Sequence, residues 1–350
     1  MRIRKSRALS AALVVASLAA NGFTQELHRF LKTSGTFSDA ELSALDSGSV
    51  VVKILPSQVK NEMAILGTAR IQATTEFFLR MYRDIERFET GWGVTKKLSD
   101  PPRIEDFAAL ELPPDDLKAL QTCKVGDCEL KVGEPGLLRL RREIDWSDPA
   151  APARVNQFFR ERALDYAKGY LEGGNATLAV YVDDSKPTAI ADEFQGLLES
   201  SPYILSYRPE LHRYLQDFPK ASLPGAEGFL YWSLVDFGAK PVLRLNHVTI
   251  YPVGEGENGN VVIASKQLYF SHYFHTGLEL YVLAQDAERP ADGFYLVALN
   301  RYRTDLPSGL FGKMVVKTAQ DSARGSVERY LTATKAAIDG YFRDERTRPK

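Results

Sequence analysis

Apolar and polar positions along this chain change period several times, and each change marks a different kind of element. Ser38-Asp39-Ala40-Glu41 reads as a capping box, with Leu42 and Leu45 on one face and Gly48 as a stop, so a short helix is expected over residues 38–46. Val50 to Leu55 is rich in β-formers, Pro56 to Asn61 is a polar turn, and Met63 to Ile71 is a second extended run; together they predict a hairpin. Thr74 or Thr75 then caps a helix in which Phe77, Phe78, Met81, Tyr82, Ile85 and Phe88 recur at helical spacing.

From Trp92 to Gly238 the proline pairs Pro101-Pro102 and Pro113-Pro114 punctuate short helical segments, and longer helices fit residues 152–172, 188–200 and 208–217. The last third is extended, with runs at Phe229 to Phe237, Pro241 to Val253, Asn260 to Phe274, Leu278 to Ala284 and Phe294 to Arg303. The turn clusters at Gly254 to Gly259 and Asp292-Gly293 separate them as an antiparallel meander requires. Val327, Tyr330, Leu331, Thr334, Ile338, Tyr341 and Phe342 then mark one face of a closing helix over residues 322–342. The expected class is α+β with one sheet.

The start of the chain has a different logic. Arg2, Arg4, Lys5 and Arg7 come with no acid, and an apolar run of about 13 residues from Ala8 to Ala20 follows, ending among Ser17, Ala19, Ala20 and Gly22. Such a run is shorter than the roughly 20 apolar residues a bilayer core needs. Residues 1–22 are therefore expected to be a cleaved Sec-type signal peptide, neither lipobox nor twin-arginine in kind. Residues 23–350 are expected to be a single soluble α+β domain, periplasmic or secreted, with residues 92–238 as a mostly helical insertion. In an oxidising compartment Cys123 and Cys128, the only cysteines, are placed around Gly126 to close a small disulfide loop; a redox or zinc role fits their four-residue spacer poorly.

Acids and bases balance, 45 against 44, and the pI is about 6.6, which argues against nucleic acid as a partner. The basic clusters Arg139 to Arg142 and Arg343 to Lys350 leave peripheral contact with an anionic membrane surface open. No nucleotide, P-loop or serine-hydrolase motif is present, and no cofactor is expected.

The element order, the segment Gly67 to Phe88 running from strand into helix, and Pro307 to Gly312 leading into the last helix resemble the helix-grip superfamily that includes START-type lipid-transfer and polyketide-cyclase-like proteins. The resemblance implies a curved antiparallel sheet around a long C-terminal helix, with a cavity between them holding a lipid-like or other apolar small molecule, commonly without chemistry. Residues 92–238 depart from the family pattern.

The strand residues supply candidates for such a cavity. On a regular strand over 260–274, Leu268, Phe270, His272 and Phe274 share one face, and Tyr269, Ser271, Tyr273 and His275 the other. His247 and Tyr251 share a face of the preceding strand, and Arg70, Arg244 and Arg301 are charges inside apolar runs, suited to an anionic head group. The cavity candidates are thus Arg70, Arg244, His247, Tyr251, Tyr269, Tyr273, His275 and Arg301. No metal is expected, because His272 and His275 fall on opposite faces of a continuous strand; a break in that strand would reopen a site with Glu279. Two rival roles remain: a metal- or histidine-dependent envelope enzyme, and an envelope interaction module whose helical insertion docks a protein partner not identifiable from the residues.

Overall fold

The computed structural model describes residues 27–201, 204, 208–236, 240–253, 260–285, 293–305 and 312–347. The expected signal peptide, the turn clusters at Gly254 to Gly259 and Asp292, and most of the Pro307 to Gly312 segment lie outside them.

Alternation of side chains along the extended runs builds one eight-stranded antiparallel sheet. Its strands are β1 (Val51–Leu55), β2 (Glu62–Ile71), β3 (Gly93–Lys97), β6 (Glu227–Asp236), β7 (Pro241–Val253), β8 (Asn260–Phe270), β9 (Phe274–Gln285) and β10 (Phe294–Thr304), in the order β1-β2-β10-β9-β8-β7-β6-β3. The short strands β4 (Val180–Tyr181) and β5 (Thr188–Ala189) pair separately. Strands β6 to β10 form the expected meander, and β10 closes back onto the N-terminal hairpin, with Leu299 opposite Leu66 and Ala298 opposite Gly67. Both faces of the sheet are covered, so every residue of β2 is buried.

On one face Met63, Ile65, Ala69, Val248, Ile263, Leu283 and Leu296 pack with Phe77, Phe78 and Tyr82 of α3 (Thr75–Arg83), with Ile85 of the short α4 (Ile85–Phe88), and with Leu331 and Ile338 of the C-terminal helix α10 (Gly312–Thr347). Gly67 permits the close approach of α10: a Cβ there would lie 2.4 Å from Leu331 Cδ1. The other face carries two clusters. Leu66, Val262, Leu280 and Val297 pack against α1 (27–33), α2 (Asp39–Asp46), α8 (Ile190–Glu199) and α9 (Pro209–Asp217). Leu230, Trp232, Leu243 and Leu245 pack against α5 (Pro114–Leu120), α6 (Glu134–Glu143) and α7 (Ala151–Gly173). Helix α2 begins on the predicted capping box, Ser38 N donating to Glu41 Oε2 at 2.8 Å and Glu41 N to Ser38 Oγ at 3.2 Å.

Several expectations change. The stretch 92–238 is not helical throughout, because β3 and β6 at its ends belong to the main sheet; the helical material is residues 98–226. The closing helix is longer than the predicted 322–342. The expected strand over 260–274 is a hairpin: β8 ends at Phe270, Tyr273 takes φ +62° and Phe274 N donates to His272 O at 2.7 Å, so the chain reverses before β9. Cys123 and Cys128 form the expected disulfide. Among the described residues no helix is long and apolar enough to cross a membrane.

Candidate functional site

A half-enclosed cavity of about 400 Å³ lies between the sheet and the helical insertion. Its floor is Trp232, Leu243, Leu245 and Tyr269 from β6, β7 and β8; Phe158, Phe159, Ala163 and Tyr166 of α7 form one wall, and Tyr181, Val182 and Val132 another. This volume falls within the roughly 300–1,000 Å³ of small-molecule sites.

The polar tips of its aromatic lining are committed elsewhere. Tyr166 Oη donates to Leu268 O at 2.9 Å and accepts from Ala179 N at 3.1 Å; Tyr269 Oη donates to Lys131 O at 2.9 Å; Tyr181 Oη accepts from Phe270 N at 3.2 Å. Trp232 Nε1 donates to Asp106 O at 2.9 Å. Burial pushes the phenols of Tyr166, Tyr181 and Tyr269 upward, so they stay neutral. Because these hydroxyls and the indole N–H are tied to backbone, the rings present carbon to the cavity. Lys131, a buried cation of the lining, pairs with Asp183 at 3.1 Å and Asp305 at 2.6 Å, while Glu134, Thr177 and Val180 are exposed at the rim.

Of the eight candidates, Tyr269 and Arg244 line this cavity, and the Arg244 guanidinium extends to the opposite sheet face. The others are separated. Arg70 lies in a polar cleft with Gln72, Asp339, Phe342 and Arg343. His247 is buried under Tyr170, whose hydroxyl is 2.9 Å from Nδ1; burial first, and the Lys266 charge second, lower its pKa to about 3. Tyr251 donates to Glu210, and Tyr273 sits in the β8–β9 turn accepting from Lys240 N at 3.0 Å. His275 bonds to Asp305, and Arg301 is bound by Glu62, Ser200 O and Ser201 Oγ.

The break in the strand does not create a metal site. His272 directs Nε2 to Asp116 at 3.0 Å and Nδ1 to Glu129 O at 3.0 Å, away from His275. Among the described residues no three His, Cys, Asp or Glu side chains converge as a metal-binding group.

The sheet face beneath α10 is chemically different. Arg244 Nε donates to Ser233 Oγ at 2.7 Å, and its terminal nitrogens lie 3.6 Å from Glu89 and 3.5 Å from Glu279. Burial opposes the guanidinium charge, but Tyr231, Glu279 and Glu89 outweigh that penalty and hold it protonated. Burial raises the Glu89 pKa, against the pull of Arg244. The carbonyl oxygens of Asn246, Gln267 and Asn300 have no hydrogen-bond partner, each a cost of about 1–3 kcal/mol in a dry interior. Sequence reasoning singled out Arg244 as an anion-binding charge and Glu279 only as a possible metal ligand, and missed the rest of this cluster, because inward polar residues on alternating strands read as solvent-facing.

Fold and cavity together define an α+β protein in which a helical insertion and a sheet enclose an apolar chamber. Comparison with protein-family models, curated proteins and solved structures gives no match.

Proposed function

We propose that this is an exported, non-enzymatic protein that binds an apolar or lipid-like small molecule in the cavity between the sheet and the helical insertion. The observation that carries the reading is the lining itself, about 400 Å³ of space among aromatic rings whose polar atoms are already bonded to backbone. Such a wall gains from burying carbon and offers few groups to activate a substrate. The helix-grip relationship is supported by β2 leading directly into α3 and by the long C-terminal helix laid on one sheet face. Relative to that resemblance the ligand moves to the other face, where the insertion supplies a second wall. Export is supported by the basic and apolar N-terminal pattern and by the Cys123–Cys128 disulfide.

Binding of an apolar fluorescent dye such as N-phenyl-1-naphthylamine tests the proposal. Wild type should bind saturably, and Ala163→Phe, which places a ring into the cavity from α7, should weaken binding by about tenfold or more, or about 1.4 kcal/mol. Absence of saturable binding by folded wild type, or unchanged affinity in a folded Ala163→Phe variant, overturns it.

A further inference from the structure

Separate segments of the chain bring aromatic rings to the cavity wall. Seven of its 23 lining residues are aromatic, a share well above the 11% of the whole chain. The neighbouring core on the same sheet face, beneath α8 and α9, is mainly leucine, with Phe37, Phe194 and Tyr295 as the rings among its 21 buried members. Ordinary packing on this face is therefore aliphatic, and the rings gather around the space.

Those rings stand in fixed planes. Tyr166, Tyr181 and Tyr269 are each anchored at the hydroxyl to backbone, and the planes of Tyr166 and Tyr181 stand at 72° and 78° to that of Tyr269, with centroids 6.4 and 6.0 Å away. Trp232, anchored through Nε1, lies at 14° to Phe107, and Phe158 and Phe159 on α7 are mutually edge-on at 72°. A flat molecule parallel to Tyr269 thus meets Tyr166 and Tyr181 at near right angles; offset-stacked and edge-to-face contacts are the two that ring quadrupoles favour. An acyl chain gains none of that complementarity, and it must give up rotamer freedom that a fused ring never had. Volume sets the size: an apolar cavity of about 150 Å³ holds one benzene, so about 400 Å³ holds roughly two to three fused rings.

We infer that the ligand class of this cavity is a flat, fused aromatic molecule of two or three rings rather than an acyl chain, an assignment that rests on the apolar-cavity reading above. The anchored tyrosines select it by shape and ring contact, because their hydroxyls are already committed.

Displacement of N-phenyl-1-naphthylamine by 2-naphthol and by decahydro-2-naphthol tests the assignment. The two alcohols share one skeleton and one hydroxyl, and the saturated one carries more apolar surface, so burial of area alone favours it. Wild type should release the dye to 2-naphthol at about tenfold lower concentration, as two or more aromatic contacts require. The double variant Phe158→Leu/Phe159→Leu keeps the wall apolar and removes both rings, so it should bring the selectivity within about threefold while decahydro-2-naphthol still displaces dye. The wild-type comparison decides alone should that variant not fold. Saturable dye binding with decahydro-2-naphthol displacing at equal or lower concentration, or full selectivity kept in the folded double variant, overturns the aromatic assignment and leaves the apolar cavity standing. Absence of saturable dye binding overturns the cavity reading, and this assignment with it.

Discussion

Lys266 provides the sharpest test of the energetics on the insertion side of the sheet. Its side chain is fully buried on β8, and Nζ is held by Asn175 Oδ1 and by the rings of Phe194 and Tyr170, at 4.2 and 5.0 Å from their centroids. Burial alone lowers its pKa from 10.5 to about 7, which at ~1.4 kcal/mol per pH unit is a destabilisation of about 5 kcal/mol in the charged form. Lys266→Met keeps the length of the side chain and removes the charge. It loses cation–π attraction of about 1 kcal/mol and orphans the Asn175 oxygen for about 2 kcal/mol, so the variant should gain about 2 kcal/mol at pH 7. The pH dependence follows from linkage. Between pH 7 and 10.5 the unfolded lysine holds a proton that the folded one has lost, so wild-type stability rises with pH relative to the variant. By pH 10 the difference should have moved by about 3–4 kcal/mol in favour of wild type, erasing or reversing the variant's advantage. Urea unfolding of both proteins at pH 7, 8.5 and 10 reads this directly, and tyrosine ionisation cancels in the difference. A variant less stable than wild type at pH 7, with a difference flat in pH, refutes the reasoning.

Two further perturbations address the candidates that proved structural. Glu62 has no exposed side-chain surface and binds both Arg301 and Arg303, so Glu62→Gln strands two buried guanidinium groups and should cost about 3–5 kcal/mol in urea unfolding; a loss under about 1 kcal/mol removes Glu62 as their counter-charge. Burial disfavours the charged His275 ring, but donation from its Nε2–H to the Asp305 carboxylate and the nearby Glu193 carboxylate, 3.9 Å from Nδ1, prevail and raise its pKa to about 9. Its stabilisation is therefore complete below about pH 6.5 and lost as pH rises through 9. With Asp305 partly in water the effect should be about 1–2 kcal/mol, and a pH 6.5–9.5 stability profile should lose that component in His275→Gln.

The elements that were legible in the sequence are those whose signal is local. The Ser38 capping box, the hairpin over 50–71 and the aromatic face from Phe77 to Phe88 need only their own residues to declare themselves. The β8–β9 reversal was hidden because the left-handed residue is Tyr273, where glycine or asparagine would have announced a turn. Strand β3 was missed because Gly93-Val94-Thr95-Lys96-Lys97 is short and polar, as an edge strand can be. The cavity was invisible for a different reason: its walls come from segments between Phe107 and Tyr269 that share no periodicity. One available signal was the run from Val242 to Leu245 with Val248 and Ile250, richer in apolar residues than strict alternation allows, which indicates a strand covered on both faces.

That double coverage decides how the insertion should be regarded. An antiparallel sheet with one helical layer keeps its other face in water, and that face is then polar. Here Leu230, Trp232, Leu243, Leu245 and Leu268 occupy the face away from α10 and are all at most 5% exposed, so they require residues 98–226 above them. The insertion is thus part of the core rather than an appendage that could be removed to isolate a partner-docking module. It also explains the division of chemistry between the two faces. The insertion side gathers rings with satisfied polar atoms and leaves a space, as a carbon-rich ligand requires. The α10 side gathers a guanidinium, two carboxylates and unpaired amide oxygens, which a carbon-rich ligand would leave unsatisfied. A single apolar molecule therefore has a physical reason to choose the insertion side.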